Sequence, residues 1–297
     1  MDTIFTKTPN EWMRLGSWIE TSYGKIFTNT IGNVFESKKT ILFLHGFPTS
    51  SYDFLPLINL LSDEYAYICF DFLGLGFSDK PTNIQYSVNM QTDILEAVLM
   101  HFKVRNFTIV THDYGVTIAQ EFLARYKQKF QEYDSKYNLN KVMFLNGGLF
   151  PESHRARLIQ KLMKSSIGFI ISKFFGFKQF TKSFSSVFGK DSQPTEYELK
   201  THWEIIQFNN GNRMIHKLLH YIEERKLNRD RWVDVIVNPP KPILLVNGSA
   251  DPISGKHMIE RFKELTGRTD SVELPGIGHY PQLEDVQAIK NAIQEFV

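Results

Sequence analysis

The 297 residues predict an α/β fold, a mostly parallel central sheet flanked by helices, with a helical cap inserted into it. Three observations lead there. Short apolar runs alternate with stretches of helical apolar spacing. The alternation stops between about residues 151 and 236, a stretch rich in Lys, Arg and Phe without a clear strand. It then resumes and continues to the C-terminus.

The elements follow in order. TILFLH (40–45) is a short apolar run of the kind buried on both faces of a parallel sheet, and it ends in HGFP. DFLPLINLLSDEY (53–65) has helical spacing. AYICFDF (66–72) is a second buried strand, closed by the Gly-rich turn GLGFSDKP. SVNMQTDILEAVLMHF (87–102) reads as a helix, NFTIVTH (106–112) as a strand, and YGVTIAQEFLARY (114–126) as a helix. KQKFQEYDSKYNLN (127–140) reads as an exposed charged loop. KVMFLN (141–146), PILLVN (242–247) and TDSVEL (269–274) are further strands, with HMIERFKELT and QLEDVQAIKNAIQEF as helices. The expected division is a core of residues 1–150 and 237–297, with residues 151–236 as the cap. Inside the cap, IGFIISKFFGF (167–177) reads as a core-packed helix, with an apolar surface touching substrate or lipid as the alternative.

Composition narrows the function. A net charge of +2 offers no strong field for nucleic acid or for an anionic membrane. The sole cysteine, Cys69, excludes an internal disulfide framework and fits a reducing compartment, so a cytoplasmic location is expected. No stretch reaches the roughly 18 apolar residues that span a bilayer, and peripheral contact is the remaining membrane option. The oligomeric state is left open. Gly74-Leu75-Gly76 lacks the third glycine of a dinucleotide fingerprint, and His216 and His220 lack a companion carboxylate motif, so neither cofactor nor metal is expected.

Ligands of an open α/β sheet sit at the carboxyl ends of its strands. Asp113 follows NFTIVTH, Asp251 follows PILLVNGSA, and His279 lies just beyond TDSVEL. A carboxylate, a second acid and a His on separate loops of one edge suit covalent hydrolysis. The order nucleophile, acid, His is that of the α/β-hydrolase fold, and Thr111-His112-Asp113-Tyr114-Gly115 stands where its G-x-S-x-G elbow would be. The backbone N–H groups of Phe47 and Tyr114 are the expected oxyanion donors. His45 and His112 read as structural, and Asp71 and Asp79 as braces of the GLGFS loop.

HGFPTSSYDF, DFLGLGFSDKP, HDYG, AQEFLARYKQ, NGGLFPESHR, NNGN, RDRWV and HYPQLED resemble the epoxide hydrolase and haloalkane dehalogenase group of α/β-hydrolases, and within it the mesoderm-specific transcript family of hydrolases. The resemblance runs from about residue 40 to the C-terminus. It departs at the front: MDTIFTKTPNEWMRLGSWIE lacks the hydrophobic segment of the vertebrate members, so attachment through such a segment is not expected. It implies an Asp113 nucleophile that forms an alkyl ester, and water activated by His279 to hydrolyse it. Dehalogenases of this group grip halide with Trp or Asn donors, and haloacetate enzymes use Arg beside the nucleophile. Tyr114 and Phe47 match neither. Epoxide hydrolases use cap tyrosines as acids, which makes Tyr221 and Tyr197 the candidates. A small apolar substrate is expected from the Phe-rich cap (Phe169, Phe174, Phe175, Phe180, Trp203). A dehalogenase and a non-catalytic scaffold are the alternatives.

Overall fold

The computed structural model describes residues 4–34, 39–61, 65–131, 138–153, 155 and 168–297. Its centre is an eight-stranded sheet: β1 Ser17–Thr21, β2 Gly24–Ile31, β3 Thr40–Leu44, β4 Ala66–Phe70, β5 Asn106–His112, β6 Asn138–Leu145, β7 Ile243–Gly248 and β8 Val272–Leu274. The spatial order is β1-β2-β4-β3-β5-β6-β7-β8. β1 and β2 pair antiparallel, as do β2 and β4; all other pairings are parallel. Every residue of β3 and of β4 is buried, because helices cover both faces, so these strands read as unbroken apolar runs.

The chain leaves β3 for β4 on one side and returns to β5 on the other. The carboxyl ends of β3 and β5 therefore flank the switch point of the sheet, where a crevice forms. Buried side chains keep the loops there in place. His45 accepts from the Phe72 N–H through Nε2 at 2.9 Å and bonds the Gly46 carbonyl through Nδ1 at 2.7 Å. Burial lowers its pKa, so the ring is neutral, as these two bonds require. Asp71 accepts from the Ser51 and Phe77 N–H groups, and Asp79 from that of Lys25.

Among the described residues between β6 and β7 there is no strand, only helices: Gly168–Lys173, Phe177–Ser185, Glu196–Gln207, Ile215–Leu218, Tyr221–Leu227 and Arg229–Val237, with a 3-10 turn at Phe208–Arg213. β6 and β7 are direct neighbours in the sheet, so this region is an insertion between them. Its last helix packs on the helix α4, Tyr114–Gln131, which follows α3, Val88–His101, and β5 in the chain. There Glu121 accepts from the Trp232 indole at 2.7 Å and from Arg231 at 2.8 Å, and it also pairs with Arg125.

Four expectations are corrected. The N-terminal hairpin of β1 and β2, and the helix α1, Pro9–Leu15, add to the expected elements: β1 is a mostly exposed edge strand, and in β2 only the four residues Ile26–Asn29 are buried, two of them polar, so neither gives a clear apolar run. The expected loop 127–140 is helix to Gln131 and strand from Asn138; residues 132–137 lie outside the described residues. The stretch 53–65 is a 3-10 turn, Ser51–Phe54, followed by the short helix α2, Leu55–Leu60, with residues 62–64 outside the described residues. The apolar stretch 167–177 is only partly core: Phe175 is buried, whereas Phe169 is 49% and Phe174 77% exposed.

Gly115 opens α4 against the end of β3. A Cβ there would stand 2.6 Å from the Leu44 carbonyl oxygen and 2.9 Å from that of His45, both backbone atoms that cannot swing away. Gly115→Ala is expected to destabilise the fold by about 1–3 kcal/mol, measured as a lower denaturation midpoint in urea.

Candidate functional site

β5 ends at His112 and α4 begins at Tyr114, so a single residue, Asp113, makes the turn. It does so at φ 45°, in the left-handed region. An L-residue held there costs about 1–3 kcal/mol, although Asp tolerates it better than most. The turn is held by backbone bonds. The Asp113 N–H donates to the Asn146 carbonyl at 3.0 Å, and the Gly115 N–H to the His45 carbonyl at 3.1 Å. His112 lies at 4.7 Å, ring to ring, from Tyr280, and its Nε2 donates to the His279 carbonyl at 2.8 Å. Burial, and then the charge of His279, lower its pKa to about 3, so His112 is a neutral strut. Gly46 is required beside it, since a Cβ would come within 2.5 Å of His112 Nδ1.

The three predicted residues meet at this turn. Asp113 Oδ1 lies 3.8 Å from His279 Nε2, and His279 Nδ1 lies 2.7 Å from Asp251 Oδ2. The Phe47 N–H donates to Asp113 Oδ2 at 3.1 Å, as an oxyanion donor at this place would; the other expected donor, Tyr114, is the first residue of α4. All three side chains are nearly inaccessible. Asp251 also accepts from Asn146 Nδ2, the Ser254 hydroxyl, and the Ile253 and Ser254 N–H groups. Burial opposes its ionisation, but the His279 charge and these bonds outweigh it and hold the carboxyl well below the usual range. For His279, burial disfavours the imidazolium, while Asp251, then Asp113 and Glu284, overcome it and raise the pKa to about 9. The two acidic side chains thus favour the protonated form of the imidazole between them.

Three further residues hold the site together and were not found from the sequence. Asn146 bridges its halves: its carbonyl takes the Asp113 N–H, its Oδ1 takes the Gly248 N–H at 2.7 Å, and its Nδ2 reaches Asp251. Its position after a strand was visible, but an amide gives no titratable signal. Glu284 accepts from the N–H groups of Gly189, Gly278 and Tyr280 and from the Ser192 hydroxyl, tying the insertion to the His279 loop. Arg225, 1% exposed, reaches from the insertion to the Asp113 carbonyl (3.2 Å) and the Thr117 hydroxyl (2.6 Å).

The two cap tyrosines part company. Tyr197, on the first turn of Glu196–Gln207, is 41% exposed on the surface of the insertion, so it is withdrawn as a candidate acid. Tyr221 is buried at the turn, its ring 4.5 Å from that of Tyr114 and 4.7 Å from the Arg225 guanidinium. Its hydroxyl has no hydrogen-bond partner among the described residues. Burial, and then Asp113, push its pKa up, so it stays protonated. It packs behind the cavity wall and is not one of the lining residues. The cavity itself, of about 80 Å³, is apolar: Phe47, Phe175, Phe180, Phe184, Ile215 and Leu219 surround Asp113 and His279.

An acid, an imidazole and a second acid on three loops at the carboxyl edge of such a sheet define the class as an α/β hydrolase. Residues 39–133 match the family described as the alpha/beta hydrolase fold. The chain belongs to the mesoderm-specific transcript family. It is 37% identical to the mesoderm-specific transcript protein of Mus musculus, over 97% of this chain and 87% of that protein. It is 33% identical to LipZ of Mycobacterium tuberculosis, over 95% of each chain. The haloalkane dehalogenase DatA of Agrobacterium tumefaciens has the same fold, with a TM-score of 0.75 at 18% identity over 95% of each chain.

Two neighbouring anions raise the His279 pKa, so removing either should lower it. Asp251→Asn is expected to lower it most and Asp113→Asn by less, both from about 9. Imidazole NMR titrations of the two variants check this; an unmoved titration in Asp113→Asn would remove the electrostatic pairing of His279 with Asp113.

Proposed function

We propose that this hydrolase acts through Asp113 as nucleophile, forming an alkyl ester that water activated by His279 then hydrolyses, and that its substrate is a small apolar epoxide. What carries the reading is the placement of a carboxylate, rather than a hydroxyl, on the left-handed turn, 3.8 Å from His279 and facing an apolar cavity.

A carboxylate needs no base to attack. Asp113 Oδ1 displaces oxygen at an epoxide carbon, and the ring C–O bond breaks. The resulting alkoxide takes a proton; Tyr221, buried and protonated behind the cavity wall, is the proposed source, a role that requires its hydroxyl to turn into the cavity. The product is an ester of Asp113. Esterification removes the negative charge of Asp113, and with it part of what keeps His279 protonated. The imidazolium then passes its proton, through solvent, to the Tyr221 phenolate; the neutral imidazole takes a proton from water through Nε2, and the hydroxide attacks the ester carbonyl carbon of Asp113. The Phe47 N–H, which already bonds Asp113 Oδ2, and the Tyr114 N–H face the tetrahedral oxyanion. Collapse releases the diol and restores the carboxylate. Asp251 holds the Nδ1–H tautomer throughout. The insertion acts as the cap that excludes bulk water.

The lining favours an epoxide over a halide. Phe47 contributes an apolar ring where a donor is needed, and the Tyr114 hydroxyl is engaged with Gln91, away from the cavity. A second strained ring is supported by one relative. The cis-3-alkyl-4-alkyloxetan-2-one decarboxylase of Shewanella oneidensis is 26% identical over 81% of this chain and 76% of its own. Its substrate name describes a four-membered ring carrying alkyl groups, which suits an apolar cavity.

His279→Ala, incubated with a panel of alkyl epoxides, haloalkanes and dialkyl oxetan-2-ones, is expected to accumulate an adduct on the peptide that holds Asp113, read by intact mass and peptide mapping. Turnover that survives Asp113→Ala would sink the nucleophile assignment. Absence of adduct and turnover across the panel would favour a non-catalytic scaffold. Tyr221→Phe is expected to slow ring opening about 10²–10⁴-fold without changing hydrolysis of a preformed ester, in single-turnover kinetics; an unchanged opening rate would remove Tyr221 as the acid.

A further inference from the structure

From Ser153 to Lys190 the sequence holds eight Lys and Arg residues and seven Phe, with no Asp or Glu. The whole chain is only +2, so the rest of it carries a net negative charge. The charge asymmetry is thus confined to the front of the insertion. The described part of this stretch shows how it is arranged. In the helix Phe177–Ser185, Phe180 and Phe184 are buried and line the cavity. Lys178 and Lys182, four residues apart, fall on the opposite face and are exposed. Neither lysine has a carboxylate partner among the described residues. Phe174, 77% exposed, precedes this helix, and Phe169, 49% exposed, stands one short helix earlier. Four residues of chain span at most about 15 Å, so Phe174 and Lys178 belong to one patch.

Large apolar rings exposed beside unpaired cations are expensive in water and suited to one kind of surface. We propose that this face of the insertion docks on an anionic lipid bilayer, with Phe174 and Phe169 entering the headgroup boundary and Lys178 and Lys182 facing lipid phosphate or carboxylate. Charge complementarity selects the lipid: a neutral apolar partner would leave the lysines without a counterion. The same helix is wall of the cavity on one side and part of the docking face on the other. A substrate dissolved in the lipid would then reach Asp113 past Phe175 and Phe180 without crossing water. That last step rests on the proposed chemistry; the docking does not.

Sedimentation with phosphatidylcholine vesicles, with and without about a third phosphatidylserine, tests the docking directly. The full chain is expected to bind the anionic vesicles and to be released by salt. Lys178→Gln with Lys182→Gln should weaken binding about 25-fold, about fivefold for each lysine. Phe174→Ser should weaken it about tenfold. The exposed pair Lys256→Gln and Lys263→Gln, on the helix Lys256–Thr266, should leave it unchanged. Thermal melts of each variant establish that it is folded. The assay is run in parallel on Asp113→Asn, so it reads docking whether or not the ester chemistry holds. No binding, equal binding to neutral vesicles, or an equal loss in the Lys256/Lys263 variant would overturn the proposal.

Discussion

The left-handed backbone of Asp113 is the constraint on which the rest of the site depends. β5 must end and α4 must begin with one residue between them, and at φ 45° that residue projects its side chain out of the sheet edge. Such a turn costs energy, and it persists because its surroundings leave no alternative. The Asn146 carbonyl takes the Asp113 N–H, the His45 carbonyl takes that of Gly115, and Arg225 caps the Asp113 carbonyl. Each contact comes from a different part of the chain. The strain is thus spread over β3, β6 and the insertion.

The electrostatics follow from this placement. Asp113 and Asp251 lie on opposite sides of one imidazole, all three nearly inaccessible. Burial alone would discharge Asp251 and His279. Together they form a mutually supporting set, with the His279 pKa raised to about 9 and that of Asp251 depressed. In the proposed chemistry this set senses the reaction, since forming an ester at Asp113 cancels one of the two charges that keep His279 protonated. The polar struts around it are neutral for the same reason of burial: His45 and His112 lose their protons and serve as fixed donors and acceptors.

The insertion has a double attachment that matters to function. Its trailing helices are tied to α4 through Glu121 and to the turn through Arg225. Its leading part meets the His279 loop, where the His279 N–H donates to the Val187 carbonyl and Glu284 gathers four donors from both sides. The cavity lies between these anchors, so its apolar wall is registered to Asp113 and His279 rather than free to drift.

Much of the core was legible in the sequence because its signals are local. β3 and β4 are continuous apolar runs, and Asp113, Asp251 and His279 each sit just beyond a strand in an order that one sheet edge brings together. The bracing roles of Asp71, Asp79, His45 and His112 were also readable from their loops. The edge hairpin was not, since half-exposed strands lack an apolar run. Tyr197 and Tyr221 look alike in sequence, two tyrosines on helices of one insertion. Only packing exposes the first and buries the second beside the turn. Asn146 and Arg225 depend on partners about 30 to 110 residues away, as Glu284 does for its bonds to Gly189 and Ser192, and no local pattern encodes such distances. The sequence carried the parallel core of the fold and the order of Asp113, Asp251 and His279 at its strand ends, because periodicity and turn chemistry act over a few residues. Tertiary structure alone decided the charge on His279, the neutrality of His112, the shape of the cavity and which tyrosine faces the turn, because each of these depends on burial and on groups brought together from distant parts of the chain.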